Sequence, residues 1–242
     1  MRVILTHEQA DFDALGALLG AALRDEKAVP VLPSRMNRNA KAFITLYGAE
    51  LPFVEIPDIP AEPIESVTLV DTQSMVTLKG MDRKTPVFVI DHHKQRKDLP
   101  DHWVEKTEQI GSCTTLFVED LRDHNGPLNQ VQATLLLLGI YEDTGSLTYV
   151  STTIRDIHAV AFLLEQGASL RIANRYLNPS LTIDQRRLYD RLLDAARSMN
   201  INGHEIVIAA ANGEDVNEEI SSIAHKLRDL LDPDALFLIV KT

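Results

Sequence analysis

Pro86-Val87-Phe88-Val89-Ile90-Asp91-His92-His93 decides how this chain folds. Its apolar, β-branched half reads as a strand buried in a sheet. The abrupt charge that follows places one carboxylate and two imidazoles at the strand's carboxyl end. In an open parallel α/β sheet, that end is where ligands bind. The arrangement recurs. Arg2-Val3-Ile4-Leu5-Thr6 is a strand that runs into His7-Glu8-Gln9-Ala10-Asp11-Phe12-Asp13, and Ser66-Val67-Thr68-Leu69-Val70 runs into Asp71. The apolar run Ala133 to Ile140 ends in Tyr141-Glu142-Asp143-Thr144-Gly145-Ser146.

If each apolar run is buried, Asp11, Asp13, Asp71 and Asp143 gather with His7, His92 and His93 at one edge of a domain. Four carboxylates at close range raise one another's pKa and oppose folding. Divalent cations remove that conflict. Six N and O ligands (His7, Asp11, Asp13, Asp71, His92 and Asp143) are too many for one tetrahedral zinc and suit two ions of higher coordination number. Two such ions, about 3.5–4 Å apart, activate a water and clamp a phosphoryl oxygen.

The rest of the chain reads as α/β. Ala14 to Arg24 has the spacing of a helix packed on the sheet, with Asp13 placed to cap it. A short strand follows near Val29–Leu32, then a helix from Ala40 to Tyr47. Pro52 to Pro63 holds four prolines and reads as a connector. Gly111-Ser112-Cys113-Thr114-Thr115 opens a helix reaching about Arg122. Its first turn offers N–H groups to an anion. Asn125-Gly126-Pro127 breaks the chain, and an apolar helix from Leu128 to Ile140 then delivers Asp143. Thr153-Ile154-Arg155-Asp156 has capping-box spacing, Gly167 stops that helix, and Leu181 to Met199 is the last long one. Ser112, Thr114, Gly145 and Arg155 are candidate substrate contacts, although capping and surface placement explain them as well.

The expected architecture is a parallel sheet flanked by helices on both faces over residues 1–198. A partial second α/β domain is expected over 199–242. There Ile201-Asn202-Gly203-His204 signals a turn, Glu205 to Ala210 a strand, Val216 to Leu231 a helix and Ala235 to Val240 a strand. A β-α-β unit of about 40 residues is too small to bury its own core. It reads as a truncated domain that must dock on the first domain or on another chain, which leaves a homodimer open.

Composition narrows the function. Hydrophobic residues make up 45% of 242, enough for a core, and aromatics only 5%, so that core is aliphatic. No run reaches the length of a membrane span, and the N-terminus starts directly in a strand without a targeting segment. One cysteine, Cys113, excludes an internal disulfide and fits a reducing cytoplasm. A net charge of −11 argues against an extended duplex nucleic-acid groove, but not against a short oligonucleotide. Lys94, Arg96 and Lys97 follow the His pair and could reach a phosphate or simply form a solvated loop.

His7-x3-Asp11-x-Asp13, Asp71, Asp91-His92-His93 and Asp143-Thr144-Gly145, in this order, resemble the four motifs of the DHH-superfamily (RecJ-like) phosphoesterases. The segments around His7 and Leu138–Leu147 resemble in particular the DHH modules at the front of bacterial proteins that carry CBS domains and a poly(A)-polymerase-like or CCA-adding nucleotidyltransferase domain. The resemblance implies one ion held by His7, Asp11 and Asp71, and a second by Asp13, Asp71, His92 and Asp143, with Asp71 bridging. It implies His93 as a donor or general acid to the substrate phosphate, Asp91 as its orienting carboxylate, and manganese as the usual metal. The residues alone also permit magnesium, cobalt or iron. The retained His7 implies an oligonucleotide, polyphosphate or pyrophosphate hydrolase, and Asp143-Thr144-Gly145 favours the phosphodiesterase branch. The implied substrate is a short oligonucleotide or small nucleotide. A nucleotide- or RNA-binding regulatory role and pyrophosphatase or exopolyphosphatase activity remain the alternatives.

Overall fold

The computed structural model describes residues 1–82, 84–124, 126–216 and 220–241. Asn125 of the expected break, the first turn of the expected last helix (217–219) and Thr242 lie outside the described residues. The chain divides into two compact units, Met1–Asn178 and Pro179–Thr242.

Five parallel strands form the first unit's sheet: β1 (Arg2–Leu5), β2 (Ala28–Pro30), β3 (Ser66–Val70), β4 (Val87–Asp91) and β5 (Val104–Thr107). Their order is β2-β1-β3-β4-β5. The chain leaves β1 to one side and returns to the other, so the topological switch lies between β1 and β3, where a ligand crevice forms. His7 and Asp71 follow β1 and β3, and Asp91 ends β4 with His92-His93 just beyond it; the three strands are adjacent.

Strand side chains alternate between two cores. On one face Ile4, Val70 and half-buried Ile90 pack with α1 (Phe12–Arg24), α2 (Arg38–Tyr47), α3 (Cys113–Asp123), α4 (Gln130–Asp143), α5 (Ile154–Glu165) and α6 (Leu170–Leu177). α4 is buried all round, Leu135 to Leu138 being wholly inaccessible, as expected of a helix without a polar stripe. On the other face Val3, Leu5, Val67, Leu69, Val87 and Val89 pack against Ile64, Leu78 and Trp103. This corrects one expectation. Irregular chain closes that face, and no described helix contributes to its core. Two further elements lack a clear sequence signal: the short edge strand β5, and α6, of whose eight residues only Ala173 and Tyr176 are buried, with Ile172 and Leu177 packing at the core's edge.

The second unit starts earlier than residue 199. α7 (Ile183–Ala195) sends Leu188 and Leu192 into a core with Ala209, Val216, Ile223 and Leu227, so it belongs with α8 (Ser221–Leu231) and the C-terminal sheet. The long helix expected to reach Met199 stops at Ala195. Residues Arg197–Ile201 instead form β6, antiparallel to β7 (His204–Asn212). Asn202 and Gly203 join them at φ 54° and 92°, a two-residue hairpin turn that Asn-Gly favours. β8 (Ala235–Lys241) pairs parallel with β7, and with α7 the unit has its own core. Among the described residues no helix is long and apolar enough to cross a membrane.

Candidate metal centre

α1 begins where β1 ends. Asp11, not Asp13, caps it: an Asp11 carboxylate oxygen accepts from the Ala14 N–H at 3.0 Å. That frees Asp13 to point inward, fully buried. Its Oδ1 accepts from Ser112 Oγ at 2.7 Å and the Thr114 N–H at 2.8 Å, and its Oδ2 accepts from the Cys113 N–H at 2.7 Å. The first turn of α3 therefore does bind an anion, and that anion is the Asp13 carboxylate. This corrects the reading of Ser112 and Thr114 as substrate contacts, since both are fully buried.

The close approach of α1, α3 and α4 needs glycine twice. A Cβ on Gly16 would lie 2.3 Å from Thr114 Oγ1, and one on Gly139 would lie 2.5 Å from the same atom and 2.9 Å from the Phe12 carbonyl oxygen. α4 also ends at the site. Glu142 accepts from the Phe12 N–H and from Asn37 Nδ2, tying the start of α1 to the end of α4. Its neighbour Asp143 reaches His92.

His92 stands at the centre. Its Nδ1 lies 3.1 Å from the Ile110 carbonyl oxygen, so the Nδ1–H tautomer satisfies both atoms and leaves Nε2 facing inward. Nε2 is 3.2 Å from Asp143 Oδ2, 3.6 Å from Asp71 Oδ1 and 3.7 Å from Asp13 Oδ2. On its other side Asp71 places Oδ2 3.5 Å from His7 Nε2. Asp71 itself sits at φ +55°, a left-handed backbone that aspartate tolerates better than most residues.

Asp91 is 1% exposed and fully engaged. Oδ1 accepts from the His92 and His93 N–H groups and lies 2.8 Å from His93 Nδ1, and Oδ2 accepts from Gln73 Nε2 at 2.7 Å. It positions His93, the orienting role expected of it, and touches no reacting group itself. His93 is 60% exposed, and its Nε2 is left to face outward.

Three overlapping groups of potential ligands result, His7-Asp11-Asp71, Asp13-His92-Asp143 and Asp71-Asp91-His92-His93, with the ligand atoms of each within 4.8 Å of one another. Asp71 Oδ1 at 3.6 Å from His92 Nε2 joins the first two. The fit to cations is chemical as well as geometric. Buried Asp71 Oδ1 has no hydrogen-bond partner, and His92 Nε2, although 3.2 Å from Asp143 Oδ2, has none of good geometry, a costly state that a shared ion would end. Atoms bound to one ion at about 2.1 Å stand roughly 3–3.5 Å apart, close to the separations here. Charge tells the same story. Burial, then repulsion from Asp143, raises the Asp13 carboxyl to about 6. Burial, then Asp13 and Asp11, pushes Asp71 well above its ordinary range. Burial opposes charging of His92, yet Asp143 and the neighbouring carboxylates carry it up to about 10. The protein alone holds more negative charge here than it can keep ionised.

The remaining candidates serve the scaffold. Gly145, at φ +54°, makes the turn after α4 and lies against the Tyr149 ring. Arg155 is bound by Glu108 at 2.7 Å and by both oxygens of Glu119, which engages it in an ion-pair network between α5, α3 and the end of β5. Three further residues matter as supports: Gln73 and Glu142, whose roles had no sequence signal, and Asp156, of which only the capping role was legible. Asp156 is fully buried, caps α5 as its spacing suggested, and also accepts from the Gly111 N–H, thereby fixing the loop whose Ile110 carbonyl orients His92.

Fold and site together define an open α/β domain built around a carboxylate-imidazole centre for divalent cations. The chain belongs to the DHH family: residues 2–140 match the family described as "DHH family, N-terminal domain". It is 35% identical over 246 residues to an A-adding tRNA nucleotidyltransferase of Geobacter sulfurreducens, covering 99% of this chain and 28% of that protein. It is 29% identical to the cyclic-di-AMP phosphodiesterase PdeA of Listeria monocytogenes, over 96% of this chain and 39% of that one. The fold is similar to the crystal structure of an exopolyphosphatase-related protein from Bacteroides fragilis, with a TM-score of 0.63 at 16% identity, covering 92% and 67% of the two chains. The chain thus spans well under half the length of both curated relatives.

Proposed function

We propose that this chain is a metal-dependent phosphoesterase that hydrolyses phosphodiester bonds of short oligonucleotides or small nucleotides. One observation carries the proposal: two ligand clusters meet at Asp71, whose buried Oδ1 has no hydrogen-bond partner and faces His92 Nε2. We assign His7, Asp11 and Asp71 to one ion and Asp13, Asp71, His92 and Asp143 to the other. Manganese is favoured, with magnesium or cobalt as substitutes. When bound, such ions lower the pKa of a water and neutralise charge developing on phosphorus. Asp91 holds His93 Nδ1, so His93 Nε2–H faces the substrate as a hydrogen-bond donor and proton source for the leaving oxygen. Its pKa is raised, first by the Asp91 hydrogen bond.

Manganese-dependent hydrolysis of a 5′-phosphorylated dinucleotide and of an aryl phosphodiester, lost on Asp71→Ala, is the expected result. Unchanged turnover by Asp71→Ala would refute the bridging role. The Geobacter relative supports a second reading, a nucleotide- or RNA-binding regulatory module joined to a nucleotidyltransferase. Tight nucleotide binding without product over hours favours that one. Turnover of pyrophosphate or polyphosphate in preference to diesters favours a pyrophosphatase or exopolyphosphatase.

A further inference from the structure

Two cavities lie at the mouth of the centre. The nearer, about 500 Å³, touches His92, Asp143 and Ser151. The second, about 770 Å³, runs outward between the loop after β4 and β5. They share His93, Lys94 and Gln109, so one groove leads from the metal ligands past the exposed imidazole into the larger space. A single phosphate or pyrophosphate would leave most of that outer space empty, whereas small organic ligands occupy sites of roughly 300–1,000 Å³.

The lining changes character along the groove. Lys94, at the junction, is exposed and has no ion pair among the described residues. Farther out, the Arg96 guanidinium is already held by Asp98 and Ser74. The outer wall carries Trp103, half-buried against the sheet's second core with its backbone N–H bonded to the Pro100 carbonyl, together with the Asp101 carboxylate and Glu105, whose Oε1 already accepts from Gln95 and whose Oε2 is buried. Carboxylates repel a further phosphate but accept hydrogen bonds from sugar hydroxyls and base amino groups. An anchored indole face suits a base, because any base can stack on an aromatic ring.

We infer that the outer cavity is a nucleoside subsite. In it Trp103 stacks on the base, the Asp101 carboxylate faces the sugar or base edge, and Lys94 neutralises the phosphate joining that nucleoside to the centre. The inference deepens the phosphoesterase reading and rests on it for the position of the scissile phosphate. It names a nucleotidyl ester, not an inorganic phosphate chain, as the substrate class.

Trp103 is the chain's one tryptophan, so its fluorescence reports on this cavity alone. Titration of the full chain, in magnesium, with adenosine 5′-monophosphate should quench it saturably, while inorganic phosphate and pyrophosphate leave it unchanged. Trp103→Ala should raise KM for a 5′-phosphorylated dinucleotide by tenfold or more with little change in kcat. Trp103→Phe should restore most of that loss. No quenching by the nucleotide, or equal quenching by inorganic phosphate, would overturn the subsite, even if dinucleotide hydrolysis persists and depends on Asp71. Quenching without any Asp71-dependent hydrolysis would leave the subsite standing and remove the phosphoesterase reading. The two failures are therefore distinguishable.

Discussion

The carboxylate of Asp13 accepts a hydrogen bond at 2.7 Å from the backbone N–H of Cys113, one hundred residues away in sequence. With the Ser112 hydroxyl and the Thr114 N–H, this gives Asp13 three donors inside the protein. Asp71, in the same charge cluster, keeps a buried oxygen with none. The two acids should therefore respond oppositely to loss of charge.

Asp13→Asn turns an amide NH2 toward donors that need an acceptor. A buried donor left unpaired costs about 1–3 kcal/mol. Denaturant unfolding in chelator should show a loss of that size, whatever repulsion the substitution relieves.

Asp71→Asn removes an ill-supported buried charge and keeps a residue type that accepts the left-handed backbone. Its unfolding temperature in chelator should rise by a few degrees. The rise that wild-type protein shows on adding manganese should shrink or vanish, because ligand binding stabilises the chain only through the sites it retains. A fall in the chelated midpoint would count against the charge-conflict account.

Gly139→Ala places a methyl against Thr114 and the Phe12 carbonyl, and that backbone cannot step aside. Overpacking of this kind costs about 1–3 kcal/mol. Because α1 must move off α4, manganese affinity should also fall, measurable by titration calorimetry.

Arg155 joins α5 to Glu119 on α3 and to Glu108 just past β5. The Arg155 hydrogen bond, partly offset by burial, lowers the Glu108 carboxyl below its ordinary range. A lowered acid contributes stability that is fully present above its unfolded pKa and is lost as pH falls through the folded value. Arg155→Met should cost about 1 kcal/mol near neutrality, as expected of a partly exposed ion-pair network. It should also flatten the acid limb of the stability-pH curve. Metal binding should be unchanged. A weakened manganese affinity would instead return Arg155 to the site.

Much of this was legible in the sequence because strand ends announce themselves. Runs such as Val67–Val70 and Val87–Ile90 are apolar until a charged residue appears, and that change of polarity marks the sheet rim where His7, Asp71 and His92 converge. The opposing contributions of α1 and α4 followed from the same logic. What stayed hidden depends on contacts between distant segments. Nothing local says that the first turn of α3 binds Asp13 and not a substrate anion, or that Glu142 ties α4 to α1. Arg197–Ile201 lacks a clear two-residue alternation, so β6 was absorbed into the preceding helix although its Asn-Gly turn was recognised. α7 was assigned to the first domain because the core it shares with β7 and α8 forms only in three dimensions.

The paired-cation centre is tested most directly by calorimetric titration of the chelator-treated chain with manganese. Two ions per chain for the wild type, falling to one or none in Asp71→Asn, is the predicted result. A single ion, or a stoichiometry unaffected by Asp71→Asn, would contradict it.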